Sequence, residues 1–484
     1  MINRTVPRSL MSTSSRGFSL GTVLLFLSTC LVAYGENRSL RPAQERPNII
    51  LILADDLGYG DLGSYGQELI HTPNLDQLAQ EGMRFTQAYS GASVCTPSRA
   101  VLMTGFHMGH AAARDNIPHY PTYLSDADVT VAEVLQQAGY RSGGVGKWAL
   151  GDAGTEGRAT RQGFDMWFGY LNQDHAHYYY PEYLDDGEGR LELPGNSRTR
   201  EHYSHDLFAE RALDFIKTSA SEPFFLYAAF TLPHFASPEE DPTELPVPTD
   251  APYTDRSWSQ QAKNYAAMVT RLDRDVGRIV KLVDDLGLGE NTLIIVTGDN
   301  GPWEGLSTQF RSSGPLRGGK RELYEGGIRV PLLARWKGVV PAAAVSQEVI
   351  AFQDLLPTLA ELAGTAPVAG IDGISVANAL RGKPVLQRHR YLYWDYGHNR
   401  EAYHQAVRLG DWKGVRHGSE GPVELYYLGA DIGETKDLAE QYPEIVSEIR
   451  EIMRTAATPD ARYEIGKRYD GSAIWKRADH WGAR

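Results

Sequence analysis

Three uninterrupted apolar segments dominate the hydrophobic pattern of the chain, at residues 48–53, 224–230 and 293–296. Continuous apolar runs with β-branched residues are typical of strands that are buried on both faces of a mostly parallel sheet. Over residues 265–283, apolar positions recur three and four residues apart, which predicts an amphipathic helix. Strands that alternate with helices predict an α/β fold, with a mostly parallel central sheet flanked by helices.

The hydrophobic pattern changes after about residue 383. Short strand-like segments separated by turn residues stand at 391–394, 406–408 and 424–427. A helical pattern follows near 445–453, so this part of the chain predicts a smaller antiparallel sheet with a terminal helix. We therefore predict a main α/β domain over residues 48–385 and a C-terminal subdomain over residues 386–484.

The N-terminus has the pattern of a secretory signal peptide. Three arginines precede an apolar run at 23–32, and a small-residue site for cleavage follows at 33–35. The run is too short to favour a retained membrane anchor, so no stable membrane insertion is expected. Lipid attachment at Cys30 is less favoured, because Thr29 is a poor residue before a lipidated cysteine. We predict a signal peptide at 1–35, a linker at 36–47, and a periplasmic or extracellular protein.

The charge of the chain argues against nucleic-acid binding. Removal of the three N-terminal arginines takes the net charge from −13 to −16. A strongly acidic protein does not attract a polyanion non-specifically, so any anionic substrate requires positive charge concentrated at one site. Cleavage also leaves Cys95 as the only cysteine, which excludes an internal disulfide.

Polar residues follow each of the three apolar runs. Asp55 and Asp56 follow the first, His234 the second, and Asp299 and Asn300 the third. Sites in open α/β sheets form outside the carboxyl ends of the strands, so these residues are expected to converge. One such acidic pair more often caps a loop, but two pairs on two buried strands favour a cation site. Ca²⁺ fits better than Mg²⁺, which tends to retain several waters.

Cys95 precedes an apolar, helix-like run and starts the string C-T-P-S-R. A helix N-terminus presents unpaired N–H groups and the positive end of the dipole, which lower the pKa of a thiol there. Pro97 suits a first helical turn, where its missing N–H costs nothing. A lone cysteine is more often a buried structural residue, so the surrounding string decides between the two interpretations.

The string C-T-P-S-R resembles the C-x-P-S-R signature of the type I, formylglycine-dependent sulfatases of the alkaline phosphatase-like superfamily. Further segments resemble this family in the same order, over roughly residues 46–455. They are A-D-D at 54–56, G-K-W-A-L-G at 146–151, G-D-N-G at 298–301, G-G-K at 318–320, Y-E-G-G-I-R-V-P at 324–331, G-D-W-K at 410–413 and E-L-Y at 424–426.

The resemblance implies a role for each matching residue. A maturation enzyme would oxidise Cys95 to formylglycine, whose hydrate attacks sulfur and then releases sulfate by hemiacetal collapse. Calcium would be held by the modified Cys95 together with Asp55, Asp56, Asp299 and Asn300. Asp299 would also act as the base, and His234 would protonate the leaving alcohol. The remaining implied roles are positioning of the hydrate by Arg99 and sulfate binding by Lys147 and Lys320.

One position departs from the family pattern. Ala149 stands where the family has its second histidine, which assists the sulfate-release step. His175 and His177 lie in a polar, aromatic loop shortly afterwards, next to Tyr178. These residues are candidates for substrate contact or for replacing the missing base, and an ordinary surface loop is the alternative. Aromatic rings in such a loop can stack on sugar faces, or can simply pack.

The sequence therefore predicts an exported, calcium-dependent sulfatase that acts on a sulfated carbohydrate. The first alternative is a phosphonate or phosphodiester hydrolase that uses the same aldehyde, since sulfate and phosphate esters share a tetrahedral geometry. The second is a catalytically silent protein that binds sulfated glycans. Ala149 supports this second alternative, whereas the complete C-T-P-S-R string opposes it.

Overall fold

The three apolar runs form three neighbouring strands at the centre of a large mixed sheet in the computed structural model of the protein. The structure describes residues 46–116, 122–238, 240–366, 368–398, 400 and 402–466. The predicted signal peptide and the alternative lipid site at Cys30 lie outside these residues. No helix within the described ranges has the length and apolar character needed to cross a membrane.

The described residues form fifteen strands, numbered here in chain order. These are β1 (Asn48–Ala54), β2 (Met83–Tyr89), β3 (Arg141–Lys147), β4 (Met166–Tyr170), β5 (Tyr183–Asp186), β6 (Gly189–Glu192), β7 (Phe224–Phe230), β8 (Thr292–Gly298), β9 (Arg329–Arg335), β10 (Ala344–Ser346), β11 (Ile350–Ala351), β12 (Leu392–Tyr396), β13 (His404–Leu409), β14 (Trp412–His417) and β15 (Val423–Tyr427).

The α-helices of the described residues are numbered in the same way. These are α1 (Pro73–Glu81), α2 (Cys95–Thr104), α3 (Val131–Gln137), α4 (Asn196–Thr199), α5 (Ser204–Ser219), α6 (Gln260–Asp285), α7 (Glu304–Phe310), α8 (Glu325–Ile328), α9 (Leu355–Ala363), α10 (Ala377–Leu380) and α11 (Pro443–Thr455).

The large sheet has the strand order β10-β2-β9-β8-β1-β7-β3-β4-β5-β6, and β11 also pairs with β2. The central pairs β8/β1, β1/β7, β7/β3 and β3/β4 are parallel, whereas β9 runs antiparallel to both its neighbours. The prediction of a mostly parallel central sheet is therefore confirmed. All seven residues of β1 are buried, as expected for a strand covered on both faces.

Helices cover both faces of the sheet because side chains of β1 alternate between two separate cores. Ile50 and Ile52 pack with residues of α1, α5 and α6, whereas Ile49 and Leu51 pack with residues of α2, α3 and α9. The predicted apolar stripe over 265–283 lies on α6, and most of its members are buried. The sheet is thus the middle of three layers, as the alternating pattern predicted.

A smaller antiparallel sheet follows in the order β12-β13-β14-β15, and α11 packs against it. This confirms the predicted C-terminal sheet and helix, although β14 was not expected as a strand. Its sequence mixes aromatic, basic and glycine residues without alternation, so the local pattern is weak. The boundary at residue 385 stays a prediction.

A buried ion network fixes the small sheet to the large one. Lys413 on β14 lies 2.9 Å from Glu325 on α8 and 3.1 Å from Glu434, and the side chains of all three are fully buried. Arg329 on β9 adds a second cation 3.1 Å from Glu325. The Y-E-G-G-I-R and G-D-W-K segments therefore meet in space, and their charged residues join the two sheets.

Replacing Lys413 with Met should destabilise the protein strongly, because two buried carboxylates lose their shared cation. Breaking a buried ion pair from one side costs about 3–5 kcal/mol. Urea unfolding of the purified protein measures the change. Lys281→Met is the matched control, because Lys281 is 75% exposed and pairs with Asp285 at the surface, where such pairs contribute about 1 kcal/mol or less. Equal losses in the two variants would contradict the structural role of the network.

Candidate active site

The polar residues that end the central strands meet at one edge of the sheet. Asp55 and Asp56 follow β1, and Asp299 and Asn300 follow the neighbouring strand β8. The backbone N–H of Asp56 donates to Asp299 Oδ1 over 3.0 Å, and Asn300 Nδ2 donates to Asp56 Oδ1 over 2.7 Å. Asp56 has a φ of 64°, a strained conformation that these two bonds hold in place. The predicted convergence is confirmed.

Cys95 is the first residue of α2 and lies close to these carboxylates. Its Sγ and one ligand atom each from Asp55, Asp56 and His234 lie within 4.8 Å of one another. The expectation of a lowered thiol pKa is wrong for this structure. Burial, together with the nearby charge of Asp55, raises the pKa of Cys95 to about 12. The loss of hydration on burial destabilises the thiolate more than the helix N-terminus stabilises it.

Arg99 occupies the next turn of α2 and organises the carboxylates. Its Nε and Nη2 donate to Asp299 Oδ2 over 3.1 and 2.8 Å, and Nη2 lies 3.4 Å from Asp55 Oδ2. Its Nη1 donates to the backbone oxygen of Lys147 over 2.6 Å. Because Arg99 is fully buried, its charge is available only to these partners.

Two lysines each bind a different carboxylate of the cluster. Lys147 at the end of β3 donates to Asp55 Oδ2, and Lys320 donates to Asp56 Oδ2, each over 2.7 Å. Burial alone would raise the pKa of Asp55, but Lys147, His234, Arg99 and Lys320 hold it well below its usual range. Gly146 lets Lys147 reach this point, because a Cβ there would lie 2.0 Å from the Ala229 oxygen of β7.

His234 follows β7 and forms a hydrogen-bonded pair with Lys320. Its Nδ1 donates to the Phe235 oxygen over 2.5 Å, so Nε2 accepts from Lys320 Nζ, 2.9 Å away. Burial and the charge of Lys320 lower the pKa of His234 to about 4. The imidazole is therefore neutral near pH 7, and the mobile proton of this pair resides on Lys320.

The oxygen atoms of the cluster fit a hard divalent cation. Asp55 Oδ1 and Asn300 Oδ1 are both buried and have no hydrogen-bond partner among the described residues. A buried oxygen without a donor is costly unless something else binds it. Carboxylate and amide oxygens are the ligands that Ca²⁺ prefers. Asp55 and Asn300, two of the residues that the sequence singled out as metal ligands, therefore offer these oxygens to that ion. Both oxygens of Asp299, in contrast, already accept hydrogen bonds from Asp56 and Arg99.

The loop that carries the two additional histidines separates them. His175 is fully buried and packs against the rings of Tyr170 and Tyr183, with centroid distances of 4.8 and 4.3 Å. His177 instead lines the cleft above the cluster, and its ring centroid lies 4.8 Å from that of His234. Tyr178 lines the same cleft. A hydrogen bond of 3.1 Å from Thr96 Oγ1 to Gln173 Oε1 joins this loop to the start of α2.

The cleft above the cluster has a volume of about 530 Å³. Besides His177, Tyr178, His234 and Lys320, it is lined by Arg321 and Arg400, which the sequence analysis did not identify. Arg321 directly follows Lys320 in sequence, and this adjacency was a usable signal. Arg400 comes from the C-terminal part of the chain, and no local pattern marks it. The cleft thus combines residues of the predicted main domain and subdomain.

Comparison with known proteins agrees with this geometry. The sulfatase family model matches residues 47–365, and a model of the C-terminal region of N-sulphoglucosamine sulphohydrolase matches residues 318–458. The chain is 34% identical over 439 residues to N-acetylgalactosamine-6-sulfatase of Canis lupus familiaris, covering 81% of each chain. It is 34% identical over 477 residues to arylsulfatase A of Homo sapiens, covering 87% of this chain and 89% of that protein.

A solved structure has the same fold. The crystal structure of Ps i-CgsB superposes with a TM-score of 0.75 at 28% identity, covering 87% of this chain and 95% of that one. A second structure of that protein is in complex with k-i-k-neocarrahexaose. The chain belongs to the sulfatase family, and this membership makes it a sulfuric ester hydrolase.

Ala149, at the position of the missing histidine, has a φ of 63° and is buried. A left-handed conformation costs an L-residue such as alanine about 1–2 kcal/mol. Glycine avoids this cost, but it loses more conformational entropy on folding than alanine does, which costs about 0.5–1 kcal/mol. Ala149→Gly should therefore keep or raise the free energy of unfolding, by up to about 1.5 kcal/mol. Ala267→Gly in the interior of α6 is the control and should lower it. Comparable destabilisation of both variants in urea would show that Ala149 is not strained.

Proposed function

We propose that this protein is an exported, calcium-dependent sulfatase that uses formylglycine at position 95 to hydrolyse sulfate esters of carbohydrates. The observation that carries the proposal is the clustering of the Cys95 sulfur with Asp55, Asp56 and His234 within 4.8 Å, at the carboxyl ends of the central strands. No nucleic acid is expected as a partner, because the chain carries a net charge of −13.

The charges of the cluster explain why a cation would convert it into an anion site. The carboxylates of Asp55, Asp56 and Asp299 are matched by the three cations Arg99, Lys147 and Lys320. Asp55, Asp56, Asp299 and Asn300 would hold the calcium. When bound, the ion supplies electrostatic stabilisation of negative charge that develops on the reacting oxygens. Burial and the charge of Asp55 raise the pKa of Asp299 to about 7, so the cluster has no excess negative charge, and the extra positive charge of the ion would favour binding of a sulfate ester.

The two lysines are suited to bind that sulfate ester. Each ammonium is buried and lies at the edge of the cluster, 2.7 Å from a carboxylate of the proposed metal set. A cation bound by those carboxylates would compete for their negative charge, leaving Lys147 and Lys320 free to donate to sulfate oxygens. Fixed donors in a site with little water stabilise charge more than donors in solvent do.

His234 is placed to protonate the leaving alcohol. The Phe235 oxygen, which accepts from Nδ1, keeps the imidazole in a single tautomer and orientation, with Nε2 toward Lys320. Burial and the charge of Lys320 keep the imidazole neutral near pH 7. A sulfate ester that draws Lys320 away from Nε2 and brings its own negative charge would raise the pKa of His234 and allow it to carry the proton.

We infer that His177 replaces the histidine that the family has at the position of Ala149. His177 lines the cleft beside His234, and burial and His234 lower its pKa, so that it is neutral and able to accept a proton at neutral pH. His175 is packed between aromatic rings and suits a structural role. Lys147 is the fallback for the same proton transfer.

Several observations support a carbohydrate substrate and an exported protein. One similar structure holds k-i-k-neocarrahexaose, and other relatives are named for action on N-acetylgalactosamine 6-sulfate. The 530 Å³ cleft offers Tyr178 and Phe235 as aromatic surfaces for a sugar ring. Export rests on the signal-peptide pattern at 1–35. Because Cys95 is fully buried, the maturation enzyme would have to act on it before the chain folds.

The nucleophile is tested with protein whose aldehyde has been verified by the mass of the peptide that contains residue 95. This protein should hydrolyse an aryl sulfate much faster than an aryl phosphate. Cys95→Ala should abolish turnover and leave the fold intact, because a small residue suits a helix start. A tenth of the normal rate in Cys95→Ala would refute the role of Cys95. Faster hydrolysis of the phosphate would favour the phosphohydrolase alternative, and no hydrolysis of either ester would favour a binding protein.

Calcium binding is tested by thermal unfolding with and without a chelator. A ligand that binds only the folded state stabilises it by RT ln(1 + [L]/Kd), about 2.7 kcal/mol at one hundred times Kd. Chelation should therefore lower the Tm of the purified protein and remove one equivalent of calcium. Asn300→Ala lacks one of the two unpartnered oxygens, so chelation should lower the Tm of this variant much less than that of the wild type. A Tm that is unchanged by chelation, with no divalent ion in metal analysis, would exclude the proposal.

His177→Ala and His175→Ala separate a catalytic from a structural histidine. Loss of a general base typically costs about 10²–10⁴ in rate, so His177→Ala should reduce kcat on a small aryl sulfate within that range. His175→Ala should chiefly lower the free energy of unfolding, because it leaves a cavity between two aromatic rings. Steady-state kinetics and urea unfolding of both variants give the comparison. A normal kcat in His177→Ala would show that His177 is not the base and would favour Lys147 as the group that accepts this proton.

A further inference from the structure

Arg321 and Arg400 line the same cleft as Lys320, and among the described residues neither side chain forms a hydrogen bond or ion pair with the catalytic cluster. Arg321 has a φ of 74°, and its backbone N–H donates to the Ser93 oxygen over 2.9 Å, which fixes the turn that directs Lys320 inward. The Arg321 side chain is exposed and lines the cleft. It makes no ion pair with any residue that the structure describes, so its full charge faces the cleft.

Arg400 is held in place by one edge of its guanidinium. Nη2 donates to Asp115 Oδ1 over 2.9 Å and to Asn116 Oδ1 over 3.0 Å, while Nε lies 3.3 Å from both Asp115 oxygens. Asp115 is fully buried, which anchors the arginine firmly. The remaining nitrogen, Nη1, makes no hydrogen bond to the described residues. Nε and Nη2 are thus fixed, and Nη1 is available to a ligand.

Arg400 packs near the ring of Tyr396, and the charges of both arginines act on its phenol. The Arg400 guanidinium carbon lies 5.1 Å from the centre of the Tyr396 ring. Burial raises the pKa of Tyr396, while the charges of Arg400, Arg321 and Lys320 oppose that rise, as expected for three cations around one phenol. Asp174 also lines the cleft, and burial raises its pKa to about 6. The three cations Lys320, Arg321 and Arg400 therefore outnumber the acidic side chains that line the cleft.

We propose that Arg321 and Arg400 bind a second anionic group of the substrate, on the sugar next to the one that carries the scissile sulfate ester. This inference rests on the proposed sulfatase function and specifies its substrate class as a glycan with neighbouring anionic groups. A sulfate and a carboxylate share the chemistry that such a site recognises, because each accepts hydrogen bonds from guanidinium groups: Arg321 can donate two in parallel, and Arg400 can donate from Nη1.

The location of the arginines gives the site a function distinct from that of the lysines. Lys320 touches Asp56 and His234 and belongs to the reacting centre, whereas the two arginines line the cleft without a hydrogen bond to those two residues. An aryl sulfate has no group to place there, but a doubly charged disaccharide does. A charge-assisted hydrogen bond contributes roughly tenfold or more in affinity, so the effect is measurable in kcat/KM.

The test compares four substrates on aldehyde-verified protein. They are an aryl sulfate, a monosulfated neutral disaccharide, a disulfated disaccharide, and a monosulfated disaccharide that contains a uronate. The wild type should prefer at least one doubly anionic substrate to the neutral disaccharide by about tenfold or more. Preference for the disulfated or for the uronate substrate identifies the second group as sulfate or carboxylate. The preference should shrink at high ionic strength.

The preference of each variant is measured as kcat/KM for the preferred doubly anionic substrate divided by kcat/KM for the neutral disaccharide. Arg321→Gln and Arg400→Lys should each reduce this ratio by about tenfold. Arg400→Lys keeps a cation for the buried Asp115, which protects the fold. The control Arg390→Gln removes a surface arginine, 74% exposed and paired with Glu448, and should leave the ratio unchanged.

Equal ratios in the wild type and both cleft variants, with hydrolysis of the aryl sulfate intact, would overturn the inference and leave the sulfatase proposal standing. Absence of hydrolysis of every sulfate ester would overturn both.

Discussion

The balance of charge inside a buried cluster is the constraint on which the rest of the structure depends. Asp55, Asp56 and Asp299 are almost completely excluded from water, as are the cations Arg99 and Lys147. Unpaired charges in such a place would cost several kcal/mol each, so the fold must hold every partner within hydrogen-bond distance. Such a cluster also has a specific chemical consequence under the proposed function, because one added divalent cation would make it a site for an anion. An acidic protein can bind an anionic ester in this way, with positive charge confined to one point.

Rigid strands and helices position the charged residues of this cluster. Adjacent parallel strands bring Asp55, Asp56, Asp299 and Asn300 to one edge of the sheet, and the first turn of α2 places Cys95 and Arg99 against them. The smaller sheet contributes from further away. Its Lys413 neutralises the buried carboxylates Glu325 and Glu434, which fixes the sheet in place beside the cleft. Arg400, which follows β12 of that sheet, then lines the cleft. The C-terminal region is thus part of the binding surface as well as of the core.

Much of this arrangement could be predicted from the sequence, because the signals were local. Buried strands produce continuous apolar runs, and the carboxylates directly after them had to converge once the strands were parallel. The pKa of Cys95 could not be predicted in this way, since burial depends on everything packed around the helix start and outweighs the local helix terminus. The bonds from Lys147 and Lys320 to Asp55 and Asp56 were also beyond local analysis. They join residues 92 and 264 positions apart in the chain.

The central claim is that this charge-balanced cluster is the calcium site of a sulfatase. The most direct measurement is a crystal structure of the aldehyde-bearing protein grown with calcium, with the ion identified by its anomalous scattering. The account predicts one ion at about 2.3–2.6 Å from Asp55 Oδ1 and Asn300 Oδ1, the distances that calcium makes to oxygen ligands. It also predicts that Lys147 and Lys320 turn toward the position of the sulfate. A cluster with no ion at saturating calcium, and with both lysines still bonded to Asp55 and Asp56, would contradict it.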